Sequence, residues 1–192
     1  LGVVAALKQG TWVDRTMIFF AIVGVTIPSF VLATLLIYVF GTKLKWLPTS
    51  RWVSWKSRIM PTIALGVSSI AYVARLTRSS MLEVINQDYI RTARAKGLSE
   101  TVVVFKHALK NALIPVVTYL GPLTAAILTG SFIIEKIFAV PGMGRMFVES
   151  ISNRDYTVIM GVTIFYSLIL VLFIFIVDLI YGLIDPRIKI NK

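Results

Sequence analysis

Cysteine is absent, histidine occurs once, and acidic residues are scarce, nine Asp and Glu against twenty Lys and Arg. Without cysteine there is no disulfide framework, no thiolate metal site and no cysteine nucleophile, so stability has to come from packing. The single histidine, His107, has no cysteine or carboxylate at ligand spacing, which leaves a metal site and histidine-based catalysis without support. The glycines of Pro141, Gly142, Met143 and Gly144 lack the Lys-Ser/Thr of a phosphate-binding loop and read as a tight turn. There is no internal repeat and no low-complexity tract, and the basic residues are spread over five segments, which argues against a nucleic-acid patch. The sequence opens on LGVVAALKQG, without a methionine or a charged stretch ahead of an apolar run. It reads as the C-terminal part of a longer protein and not as a signal peptide.

Apolar residues are abundant instead. They make up 57% of the chain and the mean hydropathy is +0.82, well above a typical soluble domain, so water is not its only solvent. Crossing about 30 Å of hydrocarbon takes roughly 20 mostly apolar residues, and four segments approach this: about 16–40, 59–76, 113–134 and 157–181. Each is too long and too apolar for a strand, which predicts an all-α, polytopic membrane bundle. Residues 77–111 form the long connection on one side, and 41–58 and 135–156 the loops on the other. Pro28, Pro61, Pro115 and Pro122 lie in or at the start of these helices, with kinks expected at Pro28 and Pro122. With both ends of the chain cytoplasmic, twelve basic residues fall inside and eight outside, a modest bias toward that orientation.

The connection from Arg75 to Asn111 is charged yet helical in pattern. Leu82, Ile85, Tyr89 and Ala93 share helical spacing, which extends the second membrane helix to Lys96, where Gly97 supplies a left-handed cap. Ser99 can cap the next helix, with Glu100 in its first turn. There Leu98, Val102, Phe105, Leu109 and Ala112 recur every three or four residues as one apolar stripe, with Lys106 and Lys110 off it. Two readings stay open on periodicity alone. The helix pair either lies against headgroups or its own bundle, or it docks into a groove of a soluble partner.

The residues of this connection carry a resemblance. Tyr89, Arg91, Thr92, Ala93, Arg94, Ala95, Lys96 and Gly97, followed by His107, Ala108, Leu109, Asn111, Ala112 and Pro115, resemble the cytoplasmic coupling loop of dipeptide and oligopeptide ABC importer permeases. Against the wider permease motif, Arg91 and Thr92 replace its Glu and first Ala, and His107 and Lys110 its later Ile and Pro, departures that match the peptide branch. RLTRSSMLEV, EKIFAVPGMGR and the terminal VDLIYGLIDPR are similar to the same subfamily in the same order, so the resemblance covers essentially the whole chain. It implies the type I importer fold, with two further membrane helices upstream to make six. It also implies a second homologous permease, two cytoplasmic ATPase subunits carrying ATP and Mg, an extracytoplasmic binding protein, and a bacterial inner membrane. On this comparison the coupling loop also includes Leu98, Val102 and Phe105, while Phe138, Pro141, Gly142 and Gly144 are expected at the binding-protein contact or gate. The implied cargo is a peptide, with nickel chelates or glutathione as the alternatives within the subfamily. No cofactor is expected on this chain itself.

A stand-alone secondary transporter or channel is the rival class. Such proteins mark their path with intramembrane charges or broken helices, and here only Asp178 and the prolines qualify. Asp178 lies 21 residues past Thr157, about 32 Å along a helix and so near the interface; a structural role with Arg187 as partner is the preferred reading. Trp46, Trp52 and Trp55 among the basic residues of 43–58 read as an interfacial aromatic belt. No residue set could hydrolyse ATP or cut a bond.

Overall fold

The computed structural model describes residues 1–50 and 52–184. Ten helices follow one another, with a 3-10 turn at Trp55–Arg58 leading into the fourth, and no strand occurs among the described residues. They are α1 (Gly2–Leu7), α2 (Trp12–Thr26), α3 (Ser29–Lys43), α4 (Ile59–Ile85), α5 (Asp88–Ala95), α6 (Glu100–Ala112), α7 (Ile114–Thr129), α8 (Phe132–Phe138), α9 (Met143–Asn153) and α10 (Tyr156–Ile184). Two helices are long and apolar enough to cross a membrane, and up to four if each broken pair, α2 with α3 and α6 with α7, is one span.

The breaks have local causes, and several depart from the sequence expectation. In place of a kinked helix over 16–40, α2 stops at Thr26, because Pro28 drives its preceding residue out of the helical region. Pro28 itself becomes the N-cap of α3, and its carbonyl accepts from the amides of Val31 and Leu32 at 3.0 and 3.1 Å. Pro122, by contrast, sits inside α7 without ending it. The helix expected over 113–134 ends at Thr129, where Gly130 takes φ +84°, so Ile134 belongs to α8. α4 is 27 residues long, about 40 Å, and outruns the hydrocarbon core. It does not continue to Lys96. Asn86 turns its side-chain amide back onto the Leu82 carbonyl at 2.8 Å, Gln87 is extended, and α5 starts afresh. The pairing expected of Asp178 with Arg187 lies outside the described residues, as do the last residues of the VDLIYGLIDPR motif.

The chain divides into two compact units. One comprises 1–23, 70–121 and the end of the chain from 174; its core joins Ala6, Met81, Ile90, Ala93, Val103, Val104, Ala108 and Ala112 from α1, α4, α5 and α6. The other comprises 24–69 and 122–173, with Ala33, Leu36, Met60, Ala64, Ile134 and Phe138 of α3, α4 and α8 at its centre. Among the described residues, alanine supplies half of the buried apolar positions. Small residues let helices approach closely where lipid tails remove the hydrophobic drive to pack, and the large side chains are left facing outward. α10 is the extreme case, since the window that qualifies as a span is wholly unburied within the chain. A surface that apolar is stable only against lipid or other membrane helices.

Candidate functional site

α5 and α6 form a short helical hairpin. α5 closes on Lys96, and the Gly97 amide donates to the Arg94 carbonyl at 2.9 Å with Gly97 at φ +76°. That left-handed conformation is the one foreseen for the position, and glycine adopts it without a steric penalty. Ser99 stands at the N-cap of α6, but its side chain makes no capping bond there. The elbow is held by ion pairing instead. Arg94 Nε and Nη2 donate to the two Glu100 carboxylate oxygens at 2.7 and 3.3 Å. At the open end of the hairpin the Asn111 amide donates to the Tyr89 hydroxyl at 2.7 Å.

Between these two clips the faces separate. Ile90 and Ala93 of α5 and Val103, Val104, Ala108 and Ala112 of α6 point into the core, with Met81 from α4. The expected single stripe on α6 therefore splits. Its middle, Val103–Ala108, is a π-helical turn, which advances the register and carries Val103 and Val104 inward. Ala112 stays buried and Leu109 half-buried, while Leu98, Val102 and Phe105 are left outside, Phe105 with 63% of its surface exposed. Around this apolar face stand the exposed residues Arg91, Thr92, Arg94, Ala95, Lys96, Lys106 and Lys110, and His107 is half-buried. The result is a clipped hairpin that presents an aromatic and two aliphatic side chains in a basic frame.

The same unit holds an ion pair that the sequence reading missed. Asp14, in the first turn of α2 and 2% exposed, accepts from Arg78 Nε at 2.6 Å and Nη2 at 2.8 Å, and from the Gly10 amide at 2.9 Å. Arg78 is thus not simply the polar end of a span. It locks the base of α4 to the start of α2, in the bidentate geometry that arginine suits best. The one available signal was an acid in a chain poor in acids, at the head of an apolar helix.

In the other unit, the 130–145 elbow is built around Glu135, which no sequence pattern singled out. Its carboxylate is buried and accepts from the Arg145 amide, in the first turn of α9, at 2.9 Å. It therefore acts as a remote cap on that helix N-terminus. Gly142 is extended, at φ −121°, so the tight turn read from the sequence draws on no positive φ at this glycine. Its role is room: a Cβ at Gly130, Gly142 or Gly144 would run into the Glu135 side chain, and at Gly144 also into the Phe132 backbone. α9 spans Met143–Asn153, a helix inside the 135–156 loop. Phe138, expected at a contact or gate, is 3% exposed and packs in the core of its unit, whereas Pro141 is exposed. Outward on α9, Arg145 Nε donates to Glu149 Oε1 at 2.6 Å, and this bond raises the guanidinium pKa.

Known proteins match the chain over the residues of both features. The family model for the binding-protein-dependent transport system inner membrane component matches residues 1–190. The dipeptide transport system permease protein of Bacillus subtilis is 59% identical over 192 residues, all of this chain and 62% of that protein. The oligopeptide transport system permease protein of Salmonella typhimurium is 49% identical over 190 residues, 98% of this chain and 62% of that protein. The glutathione transport system permease protein of Escherichia coli is 45% identical over 188 residues, 98% of this chain and 61% of that protein. The chain thus spans somewhat less than two thirds of the length of each of these relatives.

Proposed function

Because the chain belongs to the family of binding-protein-dependent transport system inner membrane components, we propose that it forms part of the translocation pathway of an ABC importer for short peptides, and that its α5–α6 hairpin receives the movement of an ATPase. The observation that carries the second half is the hairpin's outer face. Leu98, Val102 and Phe105 are exposed together, while the hairpin's inner face is packed into the core and its two ends are clipped. A stiff helix pair ending in an apolar anchor suits a cleft on a soluble subunit, since interface energy concentrates in a few desolvated aromatic and aliphatic residues. Headgroup binding alone would not call for the rigidity.

In this reading two ATPase subunits, which hold ATP and Mg, approach each other on binding nucleotide. Each moves a hairpin, and α4 and α7, which flank the hairpin in the chain, transmit the movement to the membrane helices. Substrate passes between this chain and a second, homologous permease, delivered by a binding protein that contacts the 135–156 region from outside. The hairpin then faces the cytoplasm of a bacterial cell and the α8–α9 elbow the opposite side, in line with the bias of basic residues. Relatives named for dipeptide and oligopeptide transport support a peptide cargo, and the relative named for glutathione transport supports that tripeptide as the second reading. A pull-down of the full-length protein in mild detergent tests the proposal. A co-purifying ATPase and partner permease, with peptide uptake that stops when ATP is removed, are the expected results. Uptake by the protein alone, driven by an ion gradient, would overturn it in favour of a secondary transporter.

A further inference from the structure

A cavity of about 430 Å³ opens beside α8 and α9, lined by Phe132, Lys136, Arg145, Glu149, Ser152 and Asn153. We infer that it receives the free α-carboxylate of a short peptide, held between the Lys136 ammonium and the terminal nitrogens of Arg145. The inference rests on the peptide-uptake reading above and gives that cargo a contact point on this chain.

Three features carry it. The volume lies in the range of small-molecule sites, whereas protein contacts at α9 would call for a broad, flatter patch of about 800 Å² on each partner. The lining carries two cations against one carboxylate, and that carboxylate is already committed. Glu149 binds Arg145 Nε at 2.6 Å one turn along α9, which orients the guanidinium and leaves its two terminal nitrogens without a partner among the described residues. A planar guanidinium held in this way presents the paired donors that a carboxylate accepts, and Lys136, with no acidic partner among the described residues, supplies the second charge. The backbone under Arg145 is fixed as well, through the bond from its amide to buried Glu135 at 2.9 Å. A second cavity of about 320 Å³, lined by Phe147, Val162 and Tyr166, shares Phe132 with the first and offers an apolar neighbour for a peptide side chain.

Full-length permease with its partner permease, in nanodiscs of neutral lipid and without binding protein, provides the test. Equilibrium binding of alanyl-alanine is compared with that of alanyl-alanine amide. The wild type is expected to prefer the free acid at least about tenfold, roughly 1.4 kcal/mol. Lys136→Gln with Arg145→Gln should abolish the preference, and Lys136→Arg should retain it. Equal binding of the two compounds by the wild type, or an undiminished preference in the double variant, overturns the inference. ATP-driven dipeptide uptake by the complete transporter in proteoliposomes separates the two levels. Its absence in the wild type refutes the peptide reading itself, while normal wild-type uptake without any carboxylate preference on the permease refutes this inference alone.

Discussion

Single residues with buried charge set the sharpest constraints. Asp14 and Arg78 are worth most as a pair. Removing Arg78 leaves the buried Asp14 uncompensated, and removing Asp14 leaves the half-buried Arg78 without its partner, which costs more than replacing both by neutral groups of similar shape. Asp14→Asn and Arg78→Gln should each lower the thermal midpoint of the purified permease, and the double variant should melt above the worse of the two singles. Additive losses would show that the two side chains do not interact. Glu135 makes a different demand, because three glycines surround its carboxylate. Glu135→Gln keeps an acceptor for the Arg145 amide and should be mild. Gly142→Ala places a methyl against the Glu135 side chain and should expose the 139–145 elbow to protease in otherwise intact protein. If Gly142→Ala is as resistant as the wild type, the cradle is not tight.

At the scale of elements, some of the hairpin was legible in the sequence and some was not. Gly97 could be foreseen because helix ends often use a left-handed glycine, and Pro28 because a proline within a helix removes a hydrogen bond, although a complete break was more than the expected kink. The stop at Asn86 could not be foreseen, since it depends on one amide folding back onto a carbonyl of α4. The π turn in α6 moved Val103 and Val104 inward and freed Phe105, and a stripe drawn at 3.6 residues per turn has no means of showing that. Glu135 was invisible for another reason: its partners at 130, 142 and 144 meet it only in three dimensions. The elbow at Gly97 carries its own prediction. Nothing lies near the position of a Cβ there, so the penalty of a side chain is purely conformational. Gly97→Val should be strained by about 1–2 kcal/mol and misaim α6, reducing ATP-driven uptake in a protein that still inserts. Gly97→Asn should be milder, because asparagine tolerates the left-handed region. Equal uptake by the valine variant and the wild type would show that the elbow does not govern coupling.

For the whole molecule, the proposed orientation, with the α5–α6 hairpin cytoplasmic and the α8–α9 elbow outside, is the first thing to test. The absence of cysteine makes this easy to measure. A cysteine at Ser99 in the full-length protein should react with a membrane-impermeant thiol reagent only from the cytoplasmic side, and one at Ser152 only from outside. Labelling of both from one face would mean that α7 does not cross the membrane between them.

The central claim is that the exposed face of α6 holds an ATPase subunit, and two phenylalanines allow a matched comparison. Phe105 on the hairpin and Phe175 on α10 are exposed to similar extents, 63% and 57%. Truncating an aromatic anchor in a protein interface costs about 2 kcal/mol or more, roughly a thirtyfold weaker complex, whereas truncating one that faces lipid leaves a soluble partner undisturbed. The measurement is the amount of ATPase retained on purified full-length permease carrying Phe105→Ala or Phe175→Ala. The account predicts retention near the wild-type level for Phe175→Ala and a large loss for Phe105→Ala, with membrane insertion equal in both. Equal retention by the two variants would contradict it.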